Sequence, residues 1–306
     1  MGAREATIVI GTGSRGRGFD STSRGVRVAL WIVFAVFSFP FVPLVVASFA
    51  FRWHWPSVVP TEWLWTARDA STVPVGWAYL FSRVSQLGPA FANTAFIGVA
   101  VAFLAVALAL PAARVIARYE FRGKSFFEFA SLMPVIVPQI SIGIGTLLLF
   151  LRLGLVRTHV GVILAHLVPT LPYALRIMTA VFQNLDHGYE EVAQTLGAGR
   201  VQRFVRVVLP LVLPGVATAG LFAFLISSNV FLLTFLVSGG RIPTLPTMLF
   251  SHIESGAPLD ATTAGLVVIV SLPGIAFLLL TDRLTGQRLS LASLGSPVQP
   301  AVGGRA

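Results

Sequence analysis

The chain has 306 residues, of which 55% are hydrophobic and only 11% are charged, and its mean hydropathy is +0.83. Soluble domains carry about 25% charged residues, so this composition excludes most soluble enzymes, a disordered chain and a coiled coil. The net charge of +10 fits either a basic surface for nucleic acid or the inner-face bias of a membrane protein. The absence of cysteine excludes disulfides and thiolate metal sites.

Six apolar runs are long enough to cross a bilayer, which requires about 20 mostly apolar residues in a helix. The runs occupy residues 28–51, 91–113, 127–150, 160–182, 208–236 and 261–281. Unbroken apolar runs of this length do not suit the strands of a membrane barrel, whereas helices pair their backbone polar groups internally. The sequence therefore predicts an all-α membrane protein with six transmembrane helices.

The distribution of basic residues predicts the orientation of these helices. If the N-terminus lies in the cytoplasm, 16 of the 22 lysine and arginine residues fall on the cytoplasmic side. Positive charge concentrates in cytoplasmic loops, so both termini are expected to be cytoplasmic and no nucleic-acid partner is needed to explain the net charge. A basic arm (residues 1–27) and a tail (286–306), both expected to be flexible, flank a transmembrane domain at 28–285.

Two short patterns resemble nucleotide-binding motifs but lack their context. Residues 11–16 read G-x-G-x-x-G, yet they lead into a membrane span instead of a second strand. Gly123-Lys124-Ser125 resembles the end of a P-loop, but Arg118 stands where that motif needs its first glycine. We therefore expect no ATP site, metal or other cofactor on this chain, and no enzymatic activity.

The loop at about 186–210, between the fourth and fifth spans, carries the most informative pattern. Acidic residues stand near the start of a predicted short helix, where they favour the helix dipole. Gly197 and Gly199 permit the backbone conformations that end a helix. Such a helix suits docking into a groove on a partner, although the residues alone fit an ordinary interfacial loop equally well.

This loop resembles the EAA loop of permease subunits in binding-protein-dependent ABC importers. That pattern is Glu-Ala-Ala, three residues, Gly, nine residues, Ile, one residue and Leu-Pro. The chain has the same spacing at Glu191, Val192, Ala193, Gly197, Val207, Leu209 and Pro210. Val192 in place of Ala and Val207 in place of Ile are the two departures. The resemblance covers about residues 28–285.

Several residues place the chain nearest to the second permease of spermidine/putrescine-type systems. They are His166 and Pro172 in span four, Leu245-Pro246 after span five, and Ser131 to Pro134 with Pro138 in span three. Such relatives usually carry an acidic pair near the middle of span five, where this chain has Ser228-Asn229. The predicted substrate is a polyamine or another small solute, with neutral and anionic solutes as competing interpretations.

The resemblance implies a type I permease in a bacterial plasma membrane, forming half of a translocation pathway with an identical or sister permease. It also implies two copies of a cytoplasmic ATPase that holds ATP and magnesium, an extracytoplasmic solute-binding protein, and surrounding membrane lipid. The residues it assigns to ATPase coupling are Glu190, Glu191, Val192, Ala193, Leu196, Gly197 and Ala198.

Polar residues inside the spans are candidates for the pathway because the bilayer penalises them, although a helix–helix hydrogen bond is an alternative role for each. The candidates are Asn93, Gln139, His166, Tyr173, Ser227, Ser228 and Asn229. Prolines 134, 138, 169 and 172 either unwind the helices or merely kink them. A stand-alone secondary transporter is the alternative function, but the spans offer no convincing buried acid for a coupling ion.

Overall fold

The computed structural model describes residues 24–53, 57, 59–65, 75–254 and 260–294, and these residues are mostly helical. The chain divides into two compact units, residues 1–44 and 45–306. The described part of the first unit contains helix α1 (Arg24–Ser38) and the start of α2 (Phe41–Ala47). The two helices are bent by 42° relative to one another. Most of the predicted arm, residues 1–27, lies outside the described residues.

The second unit begins with a short antiparallel hairpin, in which Ala50 pairs with Trp63 and Arg52 with Glu62. Its elements in chain order are β1 (Ala50–Arg52), β2 (Glu62–Trp63), α3 (Trp77–Leu80), α4 (Leu87–Arg118), α5 (Lys124–Ile136), α6 (Gln139–Leu153), α7 (His159–Gln183), α8 (Gly188–Thr195), α9 (Arg200–Arg203), a π-helical segment (Phe204–Val208), α10 (Leu209–Asn229), α11 (Leu232–Ser238), α12 (Leu245–Glu254) and α13 (Ala261–Leu294). Helix α13 thus continues into the predicted tail at 286–306.

Helices α4, α7 and α10 form the central packing of this unit. Ala105, Ala109 and Ala113 recur every fourth position on α4 and are fully buried. Met178 and Phe182 of α7 pack in the same cluster. Small residues at such spacing let helix backbones approach closely, which drives helix association in a membrane where apolar burial alone does not.

The described residues contain three helices that are each long and apolar enough to span a membrane. They are Leu87–Arg118 (α4), His159–Gln183 (α7) and Arg200–Asn229, which joins α9, the π-helical segment and α10. The number rises to five when each of two bent helix pairs counts as one span. These pairs are Val28–Ser38 with Phe41–Ala47, and Lys124–Ile136 with Gln139–Leu153. Helix α13 contributes a shorter apolar stretch, Ala261–Phe277.

The third predicted span, 127–150, is not one continuous helix. Helices α5 and α6 are bent by 100° at the break around Val137 and Pro138. Pro138 lacks an N–H group and disfavours the helical conformation of the residue before it, and Val137 is accordingly extended (φ −73°, ψ 135°). Pro134 stays inside α5, and Pro169 and Pro172 stay inside α7.

The fifth predicted span, 208–236, is also divided. Helix α10 ends at Asn229, and α11 begins at Leu232 after two non-helical residues. Helix α11 packs closely on α6, because a Cβ atom on Gly143 would lie 2.6 Å from Cδ1 of Leu236. The segments that follow the two breaks therefore pack against each other.

Candidate functional site

Helix α8 lies in the predicted coupling loop, and local interactions of its sequence define its start. The Asp186 carboxylate accepts a hydrogen bond from the Gly188 N–H at 2.9 Å, which turns the chain before the helix. Glu190 and Glu191 occupy the first turn. Their negative charge favours the positive end of the helix dipole.

The end of α8 is a hydrogen-bonded cap that requires a left-handed residue. Gly197 has φ +82°, and its N–H donates to the Gln194 carbonyl at 2.9 Å. The N–H of Ala198 donates to the Ala193 carbonyl at 3.0 Å, which completes a Schellman motif. No described atom lies within 4 Å of the position of a Cβ on Gly197. Glycine is therefore favoured here by backbone conformation and not by lack of space.

Glu190 connects α8 to the central helices. Its Oε2 accepts a hydrogen bond from Nη2 of Arg114 on α4 at 2.7 Å, and both side chains are partly buried. The same guanidinium lies 5.1 Å from the ring centroid of Phe204, in the segment that leads into α10. Nη2 of Arg118 donates to the Leu185 carbonyl at 2.8 Å. These contacts fix the base of α8 to the ends of α4, α7 and α10.

The opposite face of α8 is apolar and exposed. Tyr189, Val192 and Leu196 are 55%, 60% and 81% exposed. Their spacing of three and four residues puts them on one side of the helix. Glu191 is exposed, whereas Ala193 and Ala198 are half-buried. An exposed apolar face on a loop helix between two spans is typical of a protein-binding surface.

His166 lies at the break in the fifth span and bonds to both sides of it. The imidazole is buried, with Nδ1 2.9 Å from Oγ of Ser227 on α10 and Nε2 2.7 Å from Oγ1 of Thr234 on α11. Thr234 donates its hydroxyl hydrogen to the Val230 carbonyl, so it accepts from the Nε2–H of His166. Nδ1 then accepts from Ser227, and both ring nitrogens of a neutral imidazole are satisfied.

The other predicted pathway residues do not join this cluster by hydrogen bonds. Ser228 is buried beside Gly98, and no described group hydrogen-bonds to its hydroxyl. The Asn229 amide donates to the Leu225 carbonyl of its own helix, and the Asn93 amide donates to Pro243. Gln139 at the start of α6 and Tyr173 on α7 are exposed.

Two residues of these sites were missed by sequence reasoning. Thr234 is a hydroxyl within an apolar run, and the argument that selected Ser227 would also have selected it. Arg114 appeared in the sequence only as one of many basic residues on the predicted cytoplasmic side. No local signal pairs it with Glu190, which lies 76 positions later.

Comparison with known proteins decides the family. Residues 8–287 match the family described as the inner membrane component of binding-protein-dependent transport systems. The chain belongs to this family. It is 29% identical over 281 residues to a probable ABC transporter permease protein of Sinorhizobium fredii, covering 90% of this chain and 98% of the relative. It is 27% identical over 259 residues to the putrescine transport permease PotI of Escherichia coli, covering 82% and 88%.

A solved structure shows the same fold. A crystal structure of a bacterial ABC transporter that imports the acidic polysaccharide alginate contains a chain with a TM-score of 0.62 and 17% identity. The match covers 85% of this chain and 98% of that one. These findings confirm the predicted ABC importer permease and displace the stand-alone secondary transporter. The permease is a multi-pass membrane subunit and not an enzyme, and it works with a separate ATPase and a solute-binding protein.

Proposed function

We propose that α8 is the coupling helix through which a cytoplasmic ATPase drives this permease. The observation that carries the proposal is the exposed apolar face of Tyr189, Val192 and Leu196 on a helix whose other side is bonded to the permease core. A partner groove that covers these three side chains would remove apolar surface from water, at about 25 cal/mol per Å². Glu191 at the edge of this face supplies a polar contact.

The contacts at the base of α8 indicate how movement reaches the pathway. ATP binding brings two ATPase copies together and draws α8 toward its counterpart in a second permease. Because Glu190 is bonded to Arg114 and Leu185 to Arg118, the ends of α4 and α7 follow this movement. The ATPase and the solute-binding protein then bias the same two-state pathway from opposite sides.

We further propose six spans with both termini in the cytoplasm. The three long helices, the two bent pairs and the apolar part of α13 supply the six. Arg114, Arg118 and the basic residues of α9 lie at the ends of the spans next to α8, which supports a cytoplasmic position for that end. The exposed polar side chains of Gln139, Tyr173 and Asn229 are proposed to face the pathway shared with the second permease.

Polyamine transport stays a prediction. Among the described residues, the polar groups near the break in span five are an imidazole, hydroxyls and an amide. Glu128 and Glu190 lie near helix ends. Among the described residues, a dication would therefore find no carboxylate at the break, and the proteins similar to this chain include both a putrescine permease and a subunit of an importer of an acidic polysaccharide.

The coupling role is tested by placing a charge on the apolar face of α8. We expect Leu196→Asp to abolish co-purification of the ATPase and to lower ATP-driven uptake more than about tenfold, since a desolvated carboxylate costs several kcal/mol. The matched control is Tyr119→Asp, which changes a 61% exposed aromatic residue in a different loop at the same end. Normal ATPase binding by Leu196→Asp would contradict the proposal.

A further inference from the structure

A polar cavity lies between α5 and the C-terminal part of α7, and no residue of α8 or of the His166 cluster lines it. Its volume is about 300 Å³, and Glu128 and Arg176 line it together with Ser131, Thr179 and Gln183. Within the described part of the chain, neither the Glu128 carboxylate nor the Arg176 guanidinium has an ion-pair or side-chain hydrogen-bond partner. The cavity therefore offers one unpaired negative and one unpaired positive group.

An apolar groove of about 540 Å³ adjoins this cavity, and both are lined by Ser131, Pro172 and Leu175. On α7 the groove extends back to Leu167, whereas the cavity extends forward to Gln183. The groove consequently lies deeper in the span than the cavity. A polar chamber that opens into a deeper apolar groove has the shape of a site for an amphiphile.

The cavity extends from the outer part of the hydrocarbon core to the headgroup layer. Helix α7 has 25 residues and a length of about 37 Å. The hydrocarbon core is about 30 Å thick, so about 7 Å of α7, little more than one turn, extends into the two headgroup layers together. Arg176 lies seven residues before the end of α7 at Gln183, about 10 Å along the axis. Its long side chain reaches the headgroup region from there.

We propose that the cavity and groove bind one phospholipid with a zwitterionic headgroup that ends in a primary ammonium. The phosphate bonds to Arg176, the ammonium bonds to Glu128, and an acyl chain occupies the groove. Sites for anionic lipids carry an excess of basic residues. Glu128 and Arg176 instead sum to zero charge, which matches a phosphoethanolamine group. A trimethylated ammonium has no N–H to donate to Glu128, and phosphatidylcholine therefore fits less well.

The test uses the full-length chain reconstituted in bilayers of equal parts phosphatidylethanolamine and phosphatidylglycerol, then extracted in mild detergent for native mass spectrometry. We expect phosphatidylethanolamine to be retained in preference. Arg176→Gln should lower this retention about tenfold, the value of one charge-assisted hydrogen bond, while Arg176→Lys should preserve most of it. Arg152→Gln, an exposed arginine at the end of α6, is the matched control and should change nothing.

The Glu128→Gln variant gives the sharpest result. It leaves the cavity with a net positive charge, so the preference should shift toward phosphatidylglycerol. Equal retention of the two lipids by the wild-type chain, or an unchanged preference in Glu128→Gln, would overturn the proposal.

A second arm separates a lipid from a soluble zwitterion. Ala130 lines the groove but not the polar cavity, and Ala130→Phe should block the acyl chain and reduce lipid retention. The soluble probe is glycerophosphoethanolamine, which has the same headgroup without acyl chains. Binding of this probe with no retention of the lipid would assign the cavity to a water-soluble ligand and refute the lipid site.

Discussion

Replacing Gly197 with alanine tests whether the cap of α8 is needed for ATPase docking. Gly197 has φ +82°, and a Cβ at this position would meet no described atom within 4 Å. The penalty of Gly197→Ala is therefore the cost of a left-handed conformation, about 1–2 kcal/mol. The bound complex needs the capped helix, and the free loop of the variant relaxes out of it. We expect the affinity for the ATPase to fall about 5- to 30-fold.

Gly199 provides a control in the same loop. It also has open space around its Cβ position, but its φ is −65°, which any residue adopts. Gly199→Ala should therefore bind the ATPase like the wild type, and Gly197→Asn should be intermediate because asparagine tolerates the left-handed region. The assay is titration of the purified permease complex with ATPase, with uptake into proteoliposomes as a second readout. Equal affinities for Gly197→Ala and Gly199→Ala would refute the reasoning.

Two further predictions concern the buried polar contacts. Arg114→Gln removes the charged partner of Glu190, so the amount of solute imported per ATP should fall severalfold. The affinity for the ATPase should change less than about twofold, because we propose that it depends on the opposite face of α8. Equal losses of both quantities would contradict this. His166→Leu leaves the hydroxyls of Ser227 and Thr234 without their partner, and the free energy of unfolding should fall by about 1–3 kcal/mol, measured by thermal unfolding in detergent. Thr170→Val is the control because that hydroxyl donates only to carbonyls of its own helix, and a similar loss from both variants would argue against the cluster.

Hydropathy predicts the unbroken helices of this fold well. The predicted fourth span, 160–182, nearly coincides with α7 (His159–Gln183), and the second, 91–113, lies inside α4 (Leu87–Arg118). In both cases a long apolar run forms one helix, and the helix extends by one to five residues beyond each end of the predicted span. The tolerated prolines at 169 and 172 show that proline alone does not decide where a span breaks.

Hydropathy did not predict the breaks in spans three and five, because the residues on both sides of each break are apolar. Pro138 gave a signal, but Pro134 gave the same signal and remains helical. The break after Asn229 has neither proline nor glycine, and its stabilising contact is with His166, more than 60 positions earlier. Such a break depends on tertiary hydrogen bonds and on the close packing of α11 against α6, which no local pattern reports.

The cap of α8 was accessible to sequence reasoning for the opposite reason. A left-handed residue after a short helix is specified by the glycine itself, and the hydrogen bonds that follow involve neighbours within five positions. The attachment of α8 to the core was not accessible, because Arg114 and Glu190 meet only when α4 and α7 pack side by side. The residue spacing in the loop predicted helix α8, whereas tertiary packing determines which helices it contacts.

Under the proposed coupling role of α8, the contacts of Arg114 and of His166 would separate the helices that move directly with α8 from those that follow through further hydrogen bonds. Arg114 and Arg118 bond the α8 loop to α4 and the end of α7, so displacement of α8 acts directly on the central helices. Helix α11 lies beyond the break in span five and packs on α6 at Gly143. His166, through Ser227 and Thr234, bonds α7 to both α10 and α11. A shift of α7 relative to α10 would therefore either carry α11 along or break these bonds. Under the proposed coupling mechanism, the His166 cluster determines whether the segments around the break follow α8.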